Sequence, residues 1–494
     1  MSQLYLIPNA ILAFSLFLFT LGCGGGNASV RDILQPATGD VALLASDAPA
    51  CDVVSFIVTI TGASLTPSSG GSPVAVISST SPVTVDFATL VDFKTVLGFS
   101  KVLPDTYSKI TLTFADPHLT VLDTTQSPPQ PVKIPATMAP LSVTADLNPS
   151  LAVAASGASA LLVHFNLLQS LQTDASGQLT GAVVPVVQAE VASAFLGSGY
   201  GNLEELKGIV QSMSGASTNP AFTGSFAIPR SLTSTEPLTI NVTDTTKFDG
   251  VAGISGLVAG KTFVEVDAYL DTSDNIVARE VEAEGEESLA ASQGAFIGLI
   301  ASLDRDASGN ATQFQMFVRE EAPDLTAVVP QGSLLLVKVD GTTQFVITPD
   351  GINQANLPFN AASLGPGQSV IVHGQTQAGS PPSVAASAIF LRLQSVAGNL
   401  APSPPPVVGN DGKTGGFYLA PCSSLYKGTP VTVFTFASTD FSGVTGGGLS
   451  GLSAGPLWVV KGVTLYEQSP VFVNGVGLNP PATAAEAKDV RELP

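Results

Sequence analysis

Cys23 is the residue whose chemistry is most sharply set by its neighbours. An apolar run from Leu4 to Leu21 ends in Thr20-Leu21-Gly22-Cys23, and Gly24-Gly25-Gly26 follows. The pattern reads as a secretory signal over residues 1–22, whose removal leaves Cys23 as the first mature residue, ready to carry lipid. Pro8 and Asn9 shorten the apolar core below the roughly 20 residues that a membrane helix needs. The expected membrane contact is therefore through acyl chains on Cys23. Gly24 behind the cysteine points to the outer membrane or cell surface. Two features depart from the usual pattern: Thr20 stands where leucine is common, and no basic residue precedes Arg31.

Other patterns admit chemistry but read more simply as structure. Gly451-Leu452-Ser453-Ala454-Gly455 has the spacing of a hydrolase nucleophile elbow. An elbow needs a helix after the serine and, in chain order, a later histidine. The last histidine is His373, and a strand pattern follows from Leu457 to Val463, so a turn is expected. Asp304, Asp306 and Ser308 space oxygen ligands like the start of a calcium loop, with Gly309 behind them. Gln315 stands where a bidentate acid should close that loop, so a hairpin is expected and no metal or cofactor is assigned. Thr173–Gly177 and Asp271–Asn275 look like the same device.

Glu280, Glu282 and Glu284 share one strand face, with Glu286 and Glu287 beyond; a solvated face guarding an edge strand is expected. His118, His164 and His373 fall in separate strands without zinc-ligand spacing. Gly446-Gly447-Gly448 lacks the Lys-Ser/Thr of a phosphate loop. Paired carboxylates such as Asp47/Asp52 or Asp86/Asp92 are offered for acid/base work, and no catalytic residue is assigned. Cys51 and Cys422 lie far apart and outside any Cys-x-x-Cys pattern. They read as two separate buried thiols, with a disulfide left open in an oxidising compartment.

These residues sit in a chain of 494 with 48 Gly, 36 Pro and only 12% charged residues. Val-rich runs alternate with Ser, Thr and turn residues at a period of two, which is the signature of an all-β protein. The formal net charge is −20. No Lys/Arg cluster exists to meet a phosphate backbone, so nucleic acid is excluded as a partner.

Residues 23–38 form a tether. A sandwich domain spans 39–196, with strands expected at Val41–Ala45, Val53–Thr61, Val83–Phe87, Lys109–Phe114, Ala160–Leu167 and Leu179–Val191. A short helical stretch is expected over Ala88–Leu97. Ser46-Asp47-Ala48-Pro49, Val58–Gly62, Val85-Asp86-Phe87, Leu103–Tyr107 and Phe165-Asn166-Leu167 together resemble the domain of unknown function 4382 family, common in bacterial lipoproteins. Family members often have Phe-Asp-Leu where Phe165-Asn166-Leu167 stands. The resemblance implies a β-sandwich and an exported location, and no activity.

Beyond it, four landmarks recur in order. Gly208, Gly298 and Gly398 open each unit. Thr246-Lys-Phe248, Thr343-Gln-Phe345 and Thr439-Asp-Phe441 come next, then Leu257-x-x-Gly260, Leu364-x-x-Gly367 and Leu452-x-x-Gly455. Ala278-x-x-Val281, Ala386-x-x-Ile389 and Ala487-x-x-Val490 close them. The glycine of Leu-x-x-Gly fits a turn with positive φ. The units, 205–287, 294–395 and 396–494, resemble the domain of unknown function 5666 family. Small barrels of the oligonucleotide/oligosaccharide-binding type are expected. Pro-rich 401–406 is a spacer or a loop inside the third unit.

The expected architecture is an antiparallel β-sandwich followed by three tandem small β-barrels. The expected function is that of a lipid-anchored, exported bacterial envelope protein. Its role is expected to be non-enzymatic: binding, adhesion or structure, with an envelope protein or glycan as partner. The alternative is an exported hydrolase acting on polysaccharide or peptide.

Overall fold

The computed structural model describes residues 38–48, 50–90, 94–127, 129–155, 157–176, 178–192, 200–215, 219–229, 237–271, 275–284, 293–322, 329–330, 332–347, 359–377, 379–392, 394–437, 439–441, 443–466, 470–473 and 490–492. Cys23, Asp92, Glu286, Glu287 and Ala487 lie outside them.

The protein is all-β. Its first domain contains β1 (Gly39–Ala48), β2 (Val53–Pro67), β3 (Val74–Ile77), β4 (Val83–Asp86), β5 (Thr95–Val102), β6 (Asp105–Asp123), β7 (Gln130–Pro135), β8 (Thr137–Met138), β9 (Ser142–Val153), β10 (Ala158–Asn166), β11 (Leu171–Thr173), β12 (Leu179–Val183) and β13 (Val187–Val191). One sheet runs β5-β1-β10-β13. In the other, β3 and β4 pair with β2, and β2 pairs with the long β6. β9 flanks the first half of β6, and β7 flanks the second. The sheets join where Leu147 of β9 meets Ala189 of β13. Between them, Val41, Leu43 and Ala45 of β1 face Phe56, Val58 and Ile60 of β2 in one buried cluster. Phe165 sits at its centre, with the rings of Phe56, Phe87 and Phe114 at 5.7, 4.7 and 5.7 Å.

Three details differ from the sequence reading. The sandwich is not wholly antiparallel, because β1 runs parallel to β10 from Asp40–Ala158 to Ala48–Asn166. Both strands are covered on two faces, the setting in which parallel pairs and unbroken apolar runs such as Val41–Ala45 occur. The helix expected over Ala88–Leu97 is replaced by a 3-10 turn at Phe87–Thr89 and by β5 from Thr95. Val96 and Leu97 are buried in different clusters, which strand alternation allows. The expected strand Leu179–Val191 breaks at Val184–Val186, around Pro185, which has no N–H to give a ladder.

Three further sheets share one strand order. The first has β14 (Tyr200–Ile209), β15 (Ser212–Ser214), β16 (Gly224–Pro229), β17 (Pro237–Val242), β18 (Lys247–Asp249), β19 (Phe263–Leu270) and β20 (Ile276–Glu284). The second has β21 (Gln293–Arg305), β22 (Ala311–Ala322), β23 (Leu334–Lys338), β24 (Gln344–Ile347), β25 (Ser369–Gln377) and β26 (Ser383–Leu391). The third has β27 (Gln394–Leu400), β28 (Val407–Val408), β29 (Gly415–Pro421), β30 (Val431–Thr435), β31 (Leu457–Tyr466), β32 (Pro470–Val473) and β33 (Val490–Glu492). The second closes as β21-β22-β23-β26-β25-β21, and only β23 and β26 in that ring are parallel. The third closes as β27-β29-β30-β32-β31-β27, with β30 and β32 parallel. In the first, β14 pairs with β19 and its continuation β15 pairs with β16, while β17 and β20 are the parallel pair. This is the strand order of the oligonucleotide/oligosaccharide-binding barrel. The Pro-rich 401–406 is a loop inside the third barrel, between β27 and β28.

The recurring residues have physical jobs. A Cβ on Gly298 would meet the Phe317 carbonyl oxygen at 2.1 Å, and one on Gly398 would meet that of Ala420 at 2.3 Å. Thr246 and Thr343 donate their hydroxyls to the carbonyls of Ala278 and Ala386. The same hydroxyls accept from the N–H of Thr243 and Asp340, and Thr439 accepts from Phe436 in the same way. Leu257, Leu364 and Leu452 are buried, and Gly260, Gly367 and Gly455 have φ of +73°, +87° and +118°. The fourth landmark holds its place in β20 and β26 but not in the third barrel. There β32 takes the closing position, and Val490 begins the added strand β33.

The modules meet in a cycle. Ala42, Leu44, Ala160 and Leu162, on the outer face of the first sandwich sheet, join the core of the first barrel. Phe263 of that barrel packs with Ile297, Ile371 and Phe390 of the second. Val463 and Leu465 of the third barrel enter the core of the second. Val54 and Leu122 of the sandwich join the core of the third. Cys51 and Cys422 form a disulfide across that last joint, with Cα atoms 5.1 Å apart. Separate thiols are thus replaced by a bridge between residues 371 positions apart, because the fold returns the third barrel to the first domain. Asp52 braces the same joint, accepting from the N–H and the hydroxyl of Ser424 at 2.7 and 2.9 Å.

Candidate functional site

Alternation along β2 creates the site. Phe56 and Val58 point into the sandwich core, so Ser55 and Ile57 point outward. Asp86, at the end of β4, pairs with Ile57 and joins that outer face. His118, Leu119 and Thr120 of β6 and Lys133, Ile134 and Pro135 of β7 continue it. Phe317, Val318 and Arg319 of β22 and Gly332 cover it from the second barrel. Between them lies a cavity of about 320 Å³, with Ala136 completing the wall. That volume is near the lower end of small-ligand sites, roughly 300–1,000 Å³.

Asp86 is the most constrained group in the cavity wall. The Ser55 hydroxyl donates to its Oδ2 at 2.7 Å. The N–H groups of Phe56 and Ala88 donate to its Oδ1 at 2.8 and 3.1 Å. The last of these caps the 3-10 turn at Phe87–Thr89. Burial nevertheless pushes the Asp86 carboxyl above its ordinary range, against the opposing pull of these donors and of the Arg319 charge. Lys133 and His118 are exposed at the cavity, while Ser55 and Thr120 are buried.

Of the carboxylates offered for acid/base work, the three described ones occupy separate settings. Asp47 is buried and accepts from the Leu167 N–H at 3.1 Å. Asp52 serves the joint with the third barrel. Asp86 lines the cavity, and its sequence partner Asp92 lies outside the described residues. Asp304 accepts from the Gln313 side chain at 2.7 Å. Asp306 folds back on its own hairpin, accepting from the N–H groups of Ser308 and Asn310 at 2.8 and 2.9 Å. Asp174 makes the same turn with Ser176 and Gln178. Ser453 lies in the turn before β31, where its carbonyl accepts from the Trp458 indole.

The histidines occupy three separate settings. His118 is at the cavity. His164 contacts Ser46 and Glu190. His373 is buried against Phe390 in the joint between the first two barrels. Among the described residues, no group of three or more His, Cys, Asp or Glu is placed to hold a metal ion.

One expectation is overturned. Glu280 and Glu282 do not guard an edge, because β20 is ladder-paired to β19 on one side and to β17 and β18 on the other. Both are half-buried, and Glu282 stands opposite Asp249 and the buried Glu265. Barrel closure makes an interior strand of what reads as an exposed one.

Of the cavity residues, only Asp86 and His118 stood out in the sequence. Ser55, Thr120, Lys133 and Arg319 come from segments far apart in the chain. The one local signal was a polar residue at an outward position of an otherwise apolar strand, as in Val54-Ser55-Phe56.

The fold and cavity define an all-β protein that joins a β-sandwich to closed or nearly closed five-stranded barrels, with a cavity between the sandwich and the second barrel. Residues 38–180 match the family Domain of unknown function (DUF4382), and residues 207–282 match Domain of unknown function (DUF5666). These are the two families that the sequence motifs resemble. No curated protein matches the chain.

Proposed function

We propose that this chain is an exported bacterial envelope protein, held by lipid on Cys23 at the outer membrane or cell surface. Its role is non-enzymatic: binding, adhesion or structure toward an envelope protein or glycan. The observation that carries the reading is the Cys51–Cys422 disulfide. A structural disulfide persists in oxidising compartments and is rare in the cytosol, so it supports export independently of the first 22 residues. It also braces the domain next to the tether against the last barrel, which suits a rigid body displayed from an anchor. The use of Asp47 and Asp52 in structural hydrogen bonds supports the non-enzymatic half.

The test is made on protein from the native envelope. Thiols are blocked before and after reduction, and the mature N-terminus is read by mass spectrometry. The expected result is Cys51 and Cys422 protected until reduction and Cys23 acylated as the first residue. Free thiols at both positions, or a mature chain cleaved elsewhere, would overturn the reading.

A further inference from the structure

Two cross-strand rows make the floor of the cavity between the sandwich and the second barrel. Asp86, Ile57, His118 and Pro135 stand side by side on β4, β2, β6 and β7, and Ser55, Thr120 and Lys133 form the next row. Phe56 and Leu119, their neighbours along β2 and β6, are buried in the sandwich core, so alternation turns the rows to the cavity. Phe317 and Arg319, two residues apart on β22, belong to the opposite wall.

The charges of this site are engaged or wet. Asp86 accepts from the Ser55 hydroxyl and from the N–H groups of Phe56 and Ala88, and the Arg319 charge acts on the same carboxyl. Lys133 is exposed to water. An anion entering the cavity would give up its hydration for one solvent-screened ammonium, and an exposed ion pair returns less than that desolvation costs. A cation would meet a carboxyl already supplied with donors. What the cavity offers is the apolar surface of Ile57 and Phe317 and the hydroxyl of the buried Thr120. A hydroxyl both donates and accepts, so it suits a ligand hydroxyl. Apolar walls with a few placed polar groups are the usual form of a small-molecule site, and the volume of about 320 Å³ has room for a fused pair of rings.

We propose that this cavity binds an uncharged aromatic molecule of one or two rings that carries a hydroxyl. The rings lie between Ile57 and Phe317, and the hydroxyl lies toward Thr120. The inference goes beyond the binding role proposed above and fails separately from it. Anchoring and export are read at Cys23, Cys51 and Cys422, and ligand binding is read at Ile57 and Thr120.

The experiment is equilibrium dialysis of the full chain in lipid nanodiscs against empty nanodiscs of matched lipid, so that partition into lipid cancels. The probes share one shape: 2-naphthol, naphthalene, 2-naphthoate and 2-naphthylmethylammonium. The expected result is saturable binding of one naphthol per chain, with the two ions weaker by about tenfold or more. Naphthalene, which lacks the hydroxyl, should bind about fivefold more weakly than naphthol. Ile57→Trp should fill the cavity and abolish binding. Thr120→Val keeps the side-chain shape, and should weaken naphthol about fivefold while leaving naphthalene unchanged. Should Ile57→Trp fail to fold, the naphthol-to-naphthalene ratio in Thr120→Val carries the test. Absence of saturable naphthol binding overturns the proposal. So does either ion binding as tightly as naphthol, naphthol binding that a folded Ile57→Trp leaves intact, or a Thr120→Val variant with the wild-type ratio.

Discussion

The two outer faces of the sandwich meet barrels in opposite ways. On the β1/β10 face, Ala42, Leu44, Ala160 and Leu162 merge with Leu203, Phe226 and Val264 of the first barrel into one apolar core. On the β2/β4 face, Ser55, Ile57 and Asp86 look across a cavity to Phe317 and Arg319 of the second barrel. The first joint is a close apolar contact. The second lies beside the one joint that carries a disulfide and the Asp52–Ser424 hydrogen bonds. Next to the incompletely packed face, a covalent bridge and part-buried hydrogen bonds add to the apolar contacts of Val54 and Leu122 in holding the sandwich to the third barrel. An open cavity forfeits the dispersion contacts that a filled joint makes.

The largest effect is expected from the bridge. Cys422→Ser should cost about 2–5 kcal/mol. Hydrogen exchange should localise the change to β2, β6 and the third barrel, with the β1/β10 joint still protected. Equal loss of protection on both faces would erase the distinction between them.

A pair of truncations sharpens it. Leu44→Ala removes a fully buried side chain and should lower stability by about 2–5 kcal/mol. Ile57→Ala acts on a half-buried side chain beside existing empty space, and should cost only about 1–2 kcal/mol. Denaturant midpoints of the two variants check this, and comparable losses would mean that the cavity face is packed as tightly as the other.

Titration offers a third, smaller comparison. Burial raises the folded pKa of Asp86 above its ordinary 3.8, so the folded state binds the proton more tightly than the unfolded one. The wild type should therefore lose stability relative to Asp86→Asn as pH rises from 3.8 through the raised value, and the difference should be flat above it. His373, buried in the joint between the first two barrels, has the opposite sign. Burial lowers it from 6.5 to about 4. Its neutral form is kept at high pH, and stability should fall as pH drops from 6.5 toward 4. His373→Gln should flatten that limb. Unfolding midpoints across pH 3–8 for both variants read the two slopes.

The smallest effect concerns the turns. Gly260 has φ of +73° with open space around its Cβ position, so Gly260→Ala should cost only the backbone penalty of roughly 1–2 kcal/mol. The first barrel should keep its contact with the β1/β10 face, as read by exchange protection of Ala42 and Leu44.

Local chemistry was legible in the residues themselves. The period of two marked the strands, and Leu-x-x-Gly marked a turn that only a residue without Cβ enters freely, as Gly260, Gly367 and Gly455 do. The Thr-x-Phe repeats were visible as a pattern, and each threonine proves to close a backbone turn through a neighbour three residues away. These are short-range rules, and a sequence states them directly.

Tertiary structure alone decided everything that depends on which strands become neighbours. It made β1 and β10 parallel, turned the Glu280–Glu282 strand from an edge into an interior one, and gave the closing place in the third barrel to β32. It brought Cys51 to Cys422 and set Asp86 of the sandwich beside Arg319 of the second barrel. Pairing across hundreds of residues is selected by the total burial of many apolar faces at once, and no local spacing records that sum.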